Sequence, residues 1–268
     1  MADMATDKAQ TWHHGVVAEW WDEFARGGPE IASFGRFVEA GQPALDAGCG
    51  TGRLLLPWLD AGYDVDGCDV SADMVDLCRA RAQAAGHEPT LFVTPLHELD
   101  PPRRYRTIVA CGVFGLGTTM SEDAEGLSRL RRALEPGGLL VLDHEAPYAN
   151  ERLWNLWTRS GRATLPEPWP SPDERQAAPG EREFALTSRA VAADPVDQSV
   201  ILEIQAQKWM AGHEVASEVH RISIRSYPME QLLLLLERAG FSDVRVRGGY
   251  ADDAPTPEHD FLVYVARA

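Results

Sequence analysis

The stretch "ALDAGCGTGRLLLPWL", residues 44–59, runs from an apolar strand-like segment ending at Asp46 into an apolar helix-like one, through Gly48, Gly50 and Gly52. Alternating glycines at such a junction meet two physical demands: positive φ in a tight turn, and no Cβ where something approaches the main chain. A dinucleotide-binding turn, G-x-G-x-x-G, needs a glycine at position 53 so that the helix packs close on the strand. Arg53 stands there instead. The turn therefore predicts a nucleotide-like ligand at the mouth of a parallel sheet, with a different fit from that of a dinucleotide.

Outward from this turn, strands and helices alternate. "YDVDGCDV" (63–70) predicts a second strand, and Ser71 caps the helix "ADMVDLCRARAQAAG" (72–86), with Asp73 in its first turn and Gly86 at its end. "TLFVTP" (90–95), "RTIVACGVF" (106–114) and "GLLVLDHEA" (138–146) predict strands three to five, with the helical "SEDAEGLSRLRRALEPGG" (121–138) between the last two. Two helical segments, "VVAEWWDEFARG" (16–27) and "EIASFGRFVEA" (30–40), come first. Strands apolar on both faces, alternating with helices, imply an α/β, Rossmann-like, doubly wound sheet that is mostly parallel.

After residue 146 the pattern changes. A Pro-, Trp- and charge-rich stretch (147–183) leads into three alternating runs, 184–194, 199–210 and 214–227, which predict an antiparallel β meander inserted after strand five. "PMEQLLLLLERAGF" (228–241) predicts a helix with Pro228 as its first residue, and "DVRVRGGY" and "DFLVYVARA" predict an antiparallel hairpin closing the main sheet. The domain organisation follows: 1–146 as N-terminal helices and α/β core, 147–226 as insertion and meander, and 227–268 as helix and strands completing the core.

Composition narrows the function. The chain has 268 residues, 44% of them hydrophobic, and a formal net charge of −16. Such a balance opposes phosphate-backbone binding, so no nucleic-acid partner is expected, and Arg129, Arg131 and Arg132 read as the solvated face of a helix. Cys49, Cys68, Cys78 and Cys111 lie in segments that read as core, without a C-x-x-C pair, and suggest reduced thiols. No apolar run approaches bilayer length and the first fifteen residues lack an apolar signal region, which predicts a cytoplasmic protein without a membrane partner. The pair His13–His14 is too local to make a metal site, and none is expected.

Asp69 ends strand two, where a carboxylate can accept both hydroxyls of a ribose or simply add a cap to the next helix. "LDAGCGTG", "VDGCDVS", "IVACGVFG" and "LEPGGLLVLDHE" together resemble the class I S-adenosylmethionine-dependent methyltransferase family, densely over residues 40–146 and again at "LLERAGFSDVRV". The antiparallel extension after strand five is similar to the small-molecule branch, which includes glycine and amino-sugar N-methyltransferases. This resemblance implies an enzyme that binds S-adenosyl-L-methionine, releases S-adenosyl-L-homocysteine, and methylates nitrogen or oxygen of a small-molecule acceptor. It implies that Asp46 and the run Gly48, Cys49, Gly50 to Gly52 surround the methionine part and that Asp69 holds the ribose. Val70 and Met74 would flank adenine, while Cys111 and Phe114 would line the pocket near the sulfonium. Pro95 stands where the family often presents an acid to adenine, so the Leu96 backbone, His97 or water is expected to serve instead.

Methyl transfer from an activated sulfonium needs mainly alignment and exclusion of water. A base helps a hydroxyl acceptor, and His144 with Glu145, after strand five, is the candidate pair; the other role open to His144 is packing at the strand end. Trp20, assigned to the cofactor, and Trp21, assigned to the acceptor, lie with Phe24 on adjacent turns of the first helix, as a lid or as core. Tyr148, Trp154, Trp157 and Trp169 are candidates for an apolar acceptor pocket, or anchors of a long loop. The meander's other face is a candidate surface for a homodimer. Two other function classes remain open on the sequence: a nonenzymatic nucleotide-binding module and an NAD-dependent oxidoreductase, the latter disfavoured by Arg53 and by the lack of a Y-x-x-x-K pair.

Overall fold

The structure, a computed structural model, describes residues 11–171 and 175–268. The strands are β1 Ala44–Ala47, β2 Val65–Asp69, β3 Leu91–Val93, β4 Tyr105–Ala110, β5 Leu134–Glu145, β6 Gln176–Ala178, β7 Arg182–Asp194, β8 Ser199–Met210, β9 His213–Arg225, β10 Ser242–Gly248 and β11 Phe261–Arg267. Seven of them form the main sheet in the order β10-β11-β5-β4-β1-β2-β3. Its β5-β4-β1-β2-β3 portion is parallel, and β11 runs antiparallel to both β5 and β10. The chain thus leaves β1 in opposite directions, toward β2 on one side and β4 on the other. That is the topological switch point at which open sheets take ligands beyond their carboxyl ends.

Helices cover both faces. The helix α1 spans Val16–Phe24, α2 Pro29–Ala40, α3 Leu55–Asp60, α4 Ala72–Ala84, α5 Met120–Ala133 and α8 Met229–Arg238. One core layer gathers Leu45, Ile108, Leu142 and Tyr264 against α5 and α8, through Leu127, Leu130, Leu232 and Leu236. The other gathers Ala44, Val109, Val141 and Val263 against α2 and α3, through Phe34, Val38, Leu55 and Trp58. Period-two alternation along β1, β4, β5 and β11 assigns neighbouring residues to opposite layers.

Local signals account for the helix ends. The Ser71 hydroxyl accepts from the Met74 N–H, and Thr119 with Glu122 forms a capping box on α5. Pro228 precedes α8 rather than opening it: its ψ of 149° is extended, which places it at the cap. The helix α3 begins at Leu55, later than the apolar pattern from Arg53 suggests, because residues 51–54 remain in the turn.

The insertion contains a four-stranded antiparallel sheet, β6-β7-β8-β9, one strand more than the expected meander. The addition is the short β6, in the Trp-rich stretch, where only three residues pair with β7 and leave no period to detect. Two short helices precede it, α6 Glu151–Asn155 and α7 Arg159–Arg162. The sheet is fastened to the core twice. Leu116, in the loop after β4, bridges Ile224, while Gly117 N–H donates to Ser223 O at 2.7 Å and Arg225 N–H to Gly115 O at 2.8 Å. At the start of α1, Asp73 of α4 accepts the Gly15 N–H at 2.7 Å and Glu218 of β9 accepts the Val16 N–H at 3.0 Å, so free helix donors join core and insertion. Among the described residues no helix is long and apolar enough to cross a membrane.

Candidate active site

A cleft opens at the carboxyl ends of β1, β2 and β4. The three glycines that predicted it divide their work. Gly50 has φ of +52°, and a Cβ there would meet no atom of the described residues within 4 Å: its missing side chain opens onto the cleft. Gly48 makes room for Val113, whose Cγ1 would lie 2.1 Å from an added Cβ, and Gly52 makes room for Leu56 and Cys78 at 2.9 and 3.0 Å. Gly52 does not line the cleft, so its expected place against the ligand is corrected: it serves the packing of α3 and α4 under the turn.

Asp69 holds the turn from below. Its two carboxylate oxygens accept the Gly50 N–H at 3.0 Å and the Ser71 N–H at 2.8 Å, and burial pushes its pKa up. Asp46, 1% exposed, has an oxygen, Oδ2, with no hydrogen-bond partner among the described residues. Burial, opposed by the Arg53 guanidinium, raises the Asp46 pKa to about 7.

The sequence used Arg53 only to argue against a dinucleotide; the structure makes it part of the floor. Its guanidinium pairs with Glu30 of α2 and donates to Cys111 Sγ at 3.5 Å. Cys111 Sγ in turn donates to Asp143 Oδ2 at 3.2 Å, which also receives the Tyr250 hydroxyl at 2.6 Å, while Gly112 N–H donates to Asp143 Oδ1 at 2.6 Å. Five segments far apart in the chain thus meet in one network. Each member is an ordinary residue in its own stretch, so no local signal marks it.

Of the expected ligand residues, Asp46, Gly48, Cys49, Gly50 and Asp69 line the cleft, Val70 and Met74 border it past β2, and Leu96 and His97 lie beyond β3. Cys111 and Phe114 form its wall after β4. Trp20 does not reach it. Its indole donates to Gln176 Oε1 at 2.8 Å on the insertion, and Trp21, about 100° further round α1, is the one that lines the cleft, edge-to-face with His13 at 5.3 Å. Both His13 ring nitrogens are engaged, by Trp12 Nε1 at 3.1 Å and Thr11 Oγ1 at 3.0 Å, and burial lowers its pKa to about 4.

His144 and Glu145 are not brought to this cleft. Alternation along β5 turns Asp143 toward Cys111 and His144 to the opposite layer, where its Nε2 accepts the Tyr227 N–H at 2.8 Å and burial lowers its pKa to about 4. With Tyr148 and Trp154 they border a second cavity. Trp157 packs beside Leu156 and Leu202 in the insertion core, and Trp169 lies under the Arg189 guanidinium at 4.4 Å. No described residue of the Trp-rich segment lines the cleft: Tyr148 and Trp154 share the second cavity with Leu262 and Tyr264 of β11, on the side of β5 away from β1.

Residues 44–138 match the methyltransferase domain family. A protein named as a methyltransferase from Geobacillus sp. (strain WCH70) is 23% identical over 92% of this chain and 91% of its own. Residues 44–138 are a methyltransferase domain, and the chain as a whole has the fold of S-adenosylmethionine-dependent methyltransferases. Solved structures share the fold at full length: the CcbJ methyltransferase from Streptomyces caelestis, 22% identical, has a TM-score of 0.70 over 97% of this chain and 98% of that one. The sugar N-methyltransferase KedS8 from Streptoalloteichus sp. ATCC 53650, 20% identical, has a TM-score of 0.61 over 90% of this chain and 88% of that one.

The methyltransferase's residues fit S-adenosyl-L-methionine on their own chemistry. The Gly50 opening accommodates a ligand against bare main chain, the orphaned Asp46 oxygen suits an ammonium group, and the Asp69 carboxylate suits vicinal hydroxyls. All four cysteines are free and buried, as the sequence predicts, and no group of three His, Cys, Asp or Glu among the described residues is placed to hold a metal ion.

Proposed function

We propose that this methyltransferase methylates a nitrogen of a small molecule of amino-sugar size. The observation that carries this is the clamp beside the cleft: the backbone pairing of Gly115–Gly117 with β9 holds the same loop that supplies Phe114 and Leu116 to the cleft wall. A cleft bounded on that side by a loop held against β9 and on another by Trp21 and His13 leaves room for a compact acceptor rather than a folded macromolecule. The net charge of −16 agrees with a cationic or neutral acceptor, and the fold shared with a sugar N-methyltransferase points the same way.

S-adenosyl-L-methionine, when bound, supplies a methyl group already activated on a cationic sulfur. The chain's own residues orient it and keep water out. Asp69 would hold the ribose, Asp46 the α-ammonium, and the main chain at Gly50 would lie against the ligand, with Trp21 and Phe114 presenting aromatic surface around the sulfonium. An amine acceptor brings its own lone pair. That suits a cleft in which the two His13 nitrogens are engaged and His144 faces another cavity. Incubating the enzyme and cofactor with panels of amino sugars, free amino acids and phenols, and following S-adenosylhomocysteine release, tests the proposal. Turnover is expected with an amino sugar; turnover confined to phenols would transfer the reaction to oxygen and overturn it.

A proton-linkage effect is expected at Asp46. An ordinary aspartate has a pKa near 3.9 in an unfolded chain, and this one is raised to about 7 when folded. Between those values the folded chain holds a proton that the unfolded chain has lost, so this group's contribution to stability falls as pH rises from about 4 to about 7. An ammonium beside Asp46 would favour the carboxylate and expel that proton. Calorimetry with S-adenosylhomocysteine at about pH 6.5 should give different apparent enthalpies in phosphate and imidazole buffers, converging at about pH 8.5. Asp46→Asn should remove the difference; identical enthalpies at the lower pH for the unaltered enzyme would separate Asp46 from the ligand.

A further inference from the structure

The second cavity, about 130 Å³, lies at the carboxyl end of β5 and is closed off from the cofactor cleft by an aromatic partition. Phe114, on the cleft side, meets Tyr227 at 5.5 Å and His144 at 6.3 Å between ring centroids, and these two rings line the cavity. Tyr264 joins Tyr227 at its base, each 1% exposed, while Tyr148 and Trp154 stand half-exposed at its mouth. Glu145 completes the rim. Among the described residues no hydrogen bond or ion pair engages its side chain, and burial together with the nearby Asp260 raises its pKa.

We propose that this cavity is a second binding site, for a small organic cation bearing a methylated ammonium group. Four aromatic rings around one space, with a carboxylate at the rim, are the surroundings a weakly hydrated quaternary ammonium prefers, because the ring quadrupoles attract the charge without demanding hydrogen bonds. Among the described residues no lysine or arginine lines the cavity to oppose it. His144 does not oppose it either: its Nε2 lone pair is taken by the Tyr227 N–H, and burial keeps the ring neutral at physiological pH. A neutral apolar ligand would fill the same volume but leave Glu145 unpaired, and an anion would face Glu145 and Asp260 together. The partition means that such a cation sits beside the reaction site without touching the transferred methyl group, so the site is independent of which acceptor the enzyme uses.

Choline and its uncharged isostere 3,3-dimethylbutan-1-ol separate charge from shape. In calorimetric titrations of the full chain, choline should bind at least about fivefold more tightly than the isostere. Glu145→Gln and Trp154→Ala, both at exposed positions, should each weaken choline by about the same factor. Choline should bind equally well to the enzyme saturated with S-adenosylhomocysteine, and both variants should keep the cofactor affinity and melting temperature of the unaltered enzyme. Equal binding of the isostere, indifference to Glu145→Gln, or displacement of choline by S-adenosylhomocysteine would overturn the proposal. The acceptor assay reads none of these quantities, so the two proposals fail separately.

Discussion

Gly50→Val is expected to remove S-adenosylhomocysteine binding, weakening it on the order of hundredfold or more, a loss of about 2.7 kcal/mol or greater. Two effects combine. The residue sits at φ of +52°, which a β-branched side chain adopts only with strain, and its side chain would stand in the cleft where no protein atom lies within 4 Å. Since no described residue lies within 4 Å of the added Cβ, the new methyl groups would meet ligand rather than core, and helical circular dichroism should be largely kept. Gly50→Ala should show a smaller loss, with the backbone strain but less obstruction. A valine variant that binds the ligand normally would mean that the cofactor does not cross this turn. The matching substitutions Gly48→Ala and Gly52→Ala should instead lower the melting temperature, because their added Cβ atoms meet Val113, Leu56 and Cys78.

Asp69→Ala should weaken the same ligand at least tenfold, and more where the turn also relaxes. Each hydrogen bond to a buried carboxylate is worth roughly 1.5–3 kcal/mol, and about 1.4 kcal/mol is a factor of ten. The carboxylate has two duties, since it anchors the Gly50 and Ser71 N–H groups and would accept the ribose hydroxyls. Asp69→Asn distinguishes them. It keeps an acceptor for one backbone donor, so it should preserve most of the melting temperature while still weakening the ligand. If alanine costs stability alone and leaves affinity within about twofold, Asp69 is a cap for α4 and the ribose is held elsewhere.

The parallel core was legible because its signals are short-range. Apolar runs of five or six residues, an acid at the end of β2, Ser71 before α4 and glycines at the first turn are each complete within a few positions. The closing pair β10–β11 was legible for the same reason, although its insertion beside β5, antiparallel, needed the sheet order. The cleft residues nearest those motifs came with them. Two of the differences share a cause as well: they lie where neighbouring residues point in opposite directions. His144 and Asp143 differ by one step along a strand, and Trp20 and Trp21, both expected at the site, by one step around a helix; packing turned Asp143 toward Cys111 and Trp21 into the cleft, and His144 and Trp20 away from it.

By itself the sequence determined the alternating fold, the place of the first turn and the kind of ligand it admits, since backbone sterics and side-chain periodicity act within a few residues. Only the tertiary structure decided which side chains meet there. Arg53 with Glu30, Cys111 with Asp143, and Tyr250 with that same carboxylate are contacts between segments 23 to 107 residues apart. The clamp from Gly117 to Ser223 and the cavity shared by Glu145, Trp154 and Tyr264 arise in the same way. Such contacts follow from how sheets and helices stack, which fixes the facing partner of each residue, and a stretch of sequence carries no record of what will be packed against it.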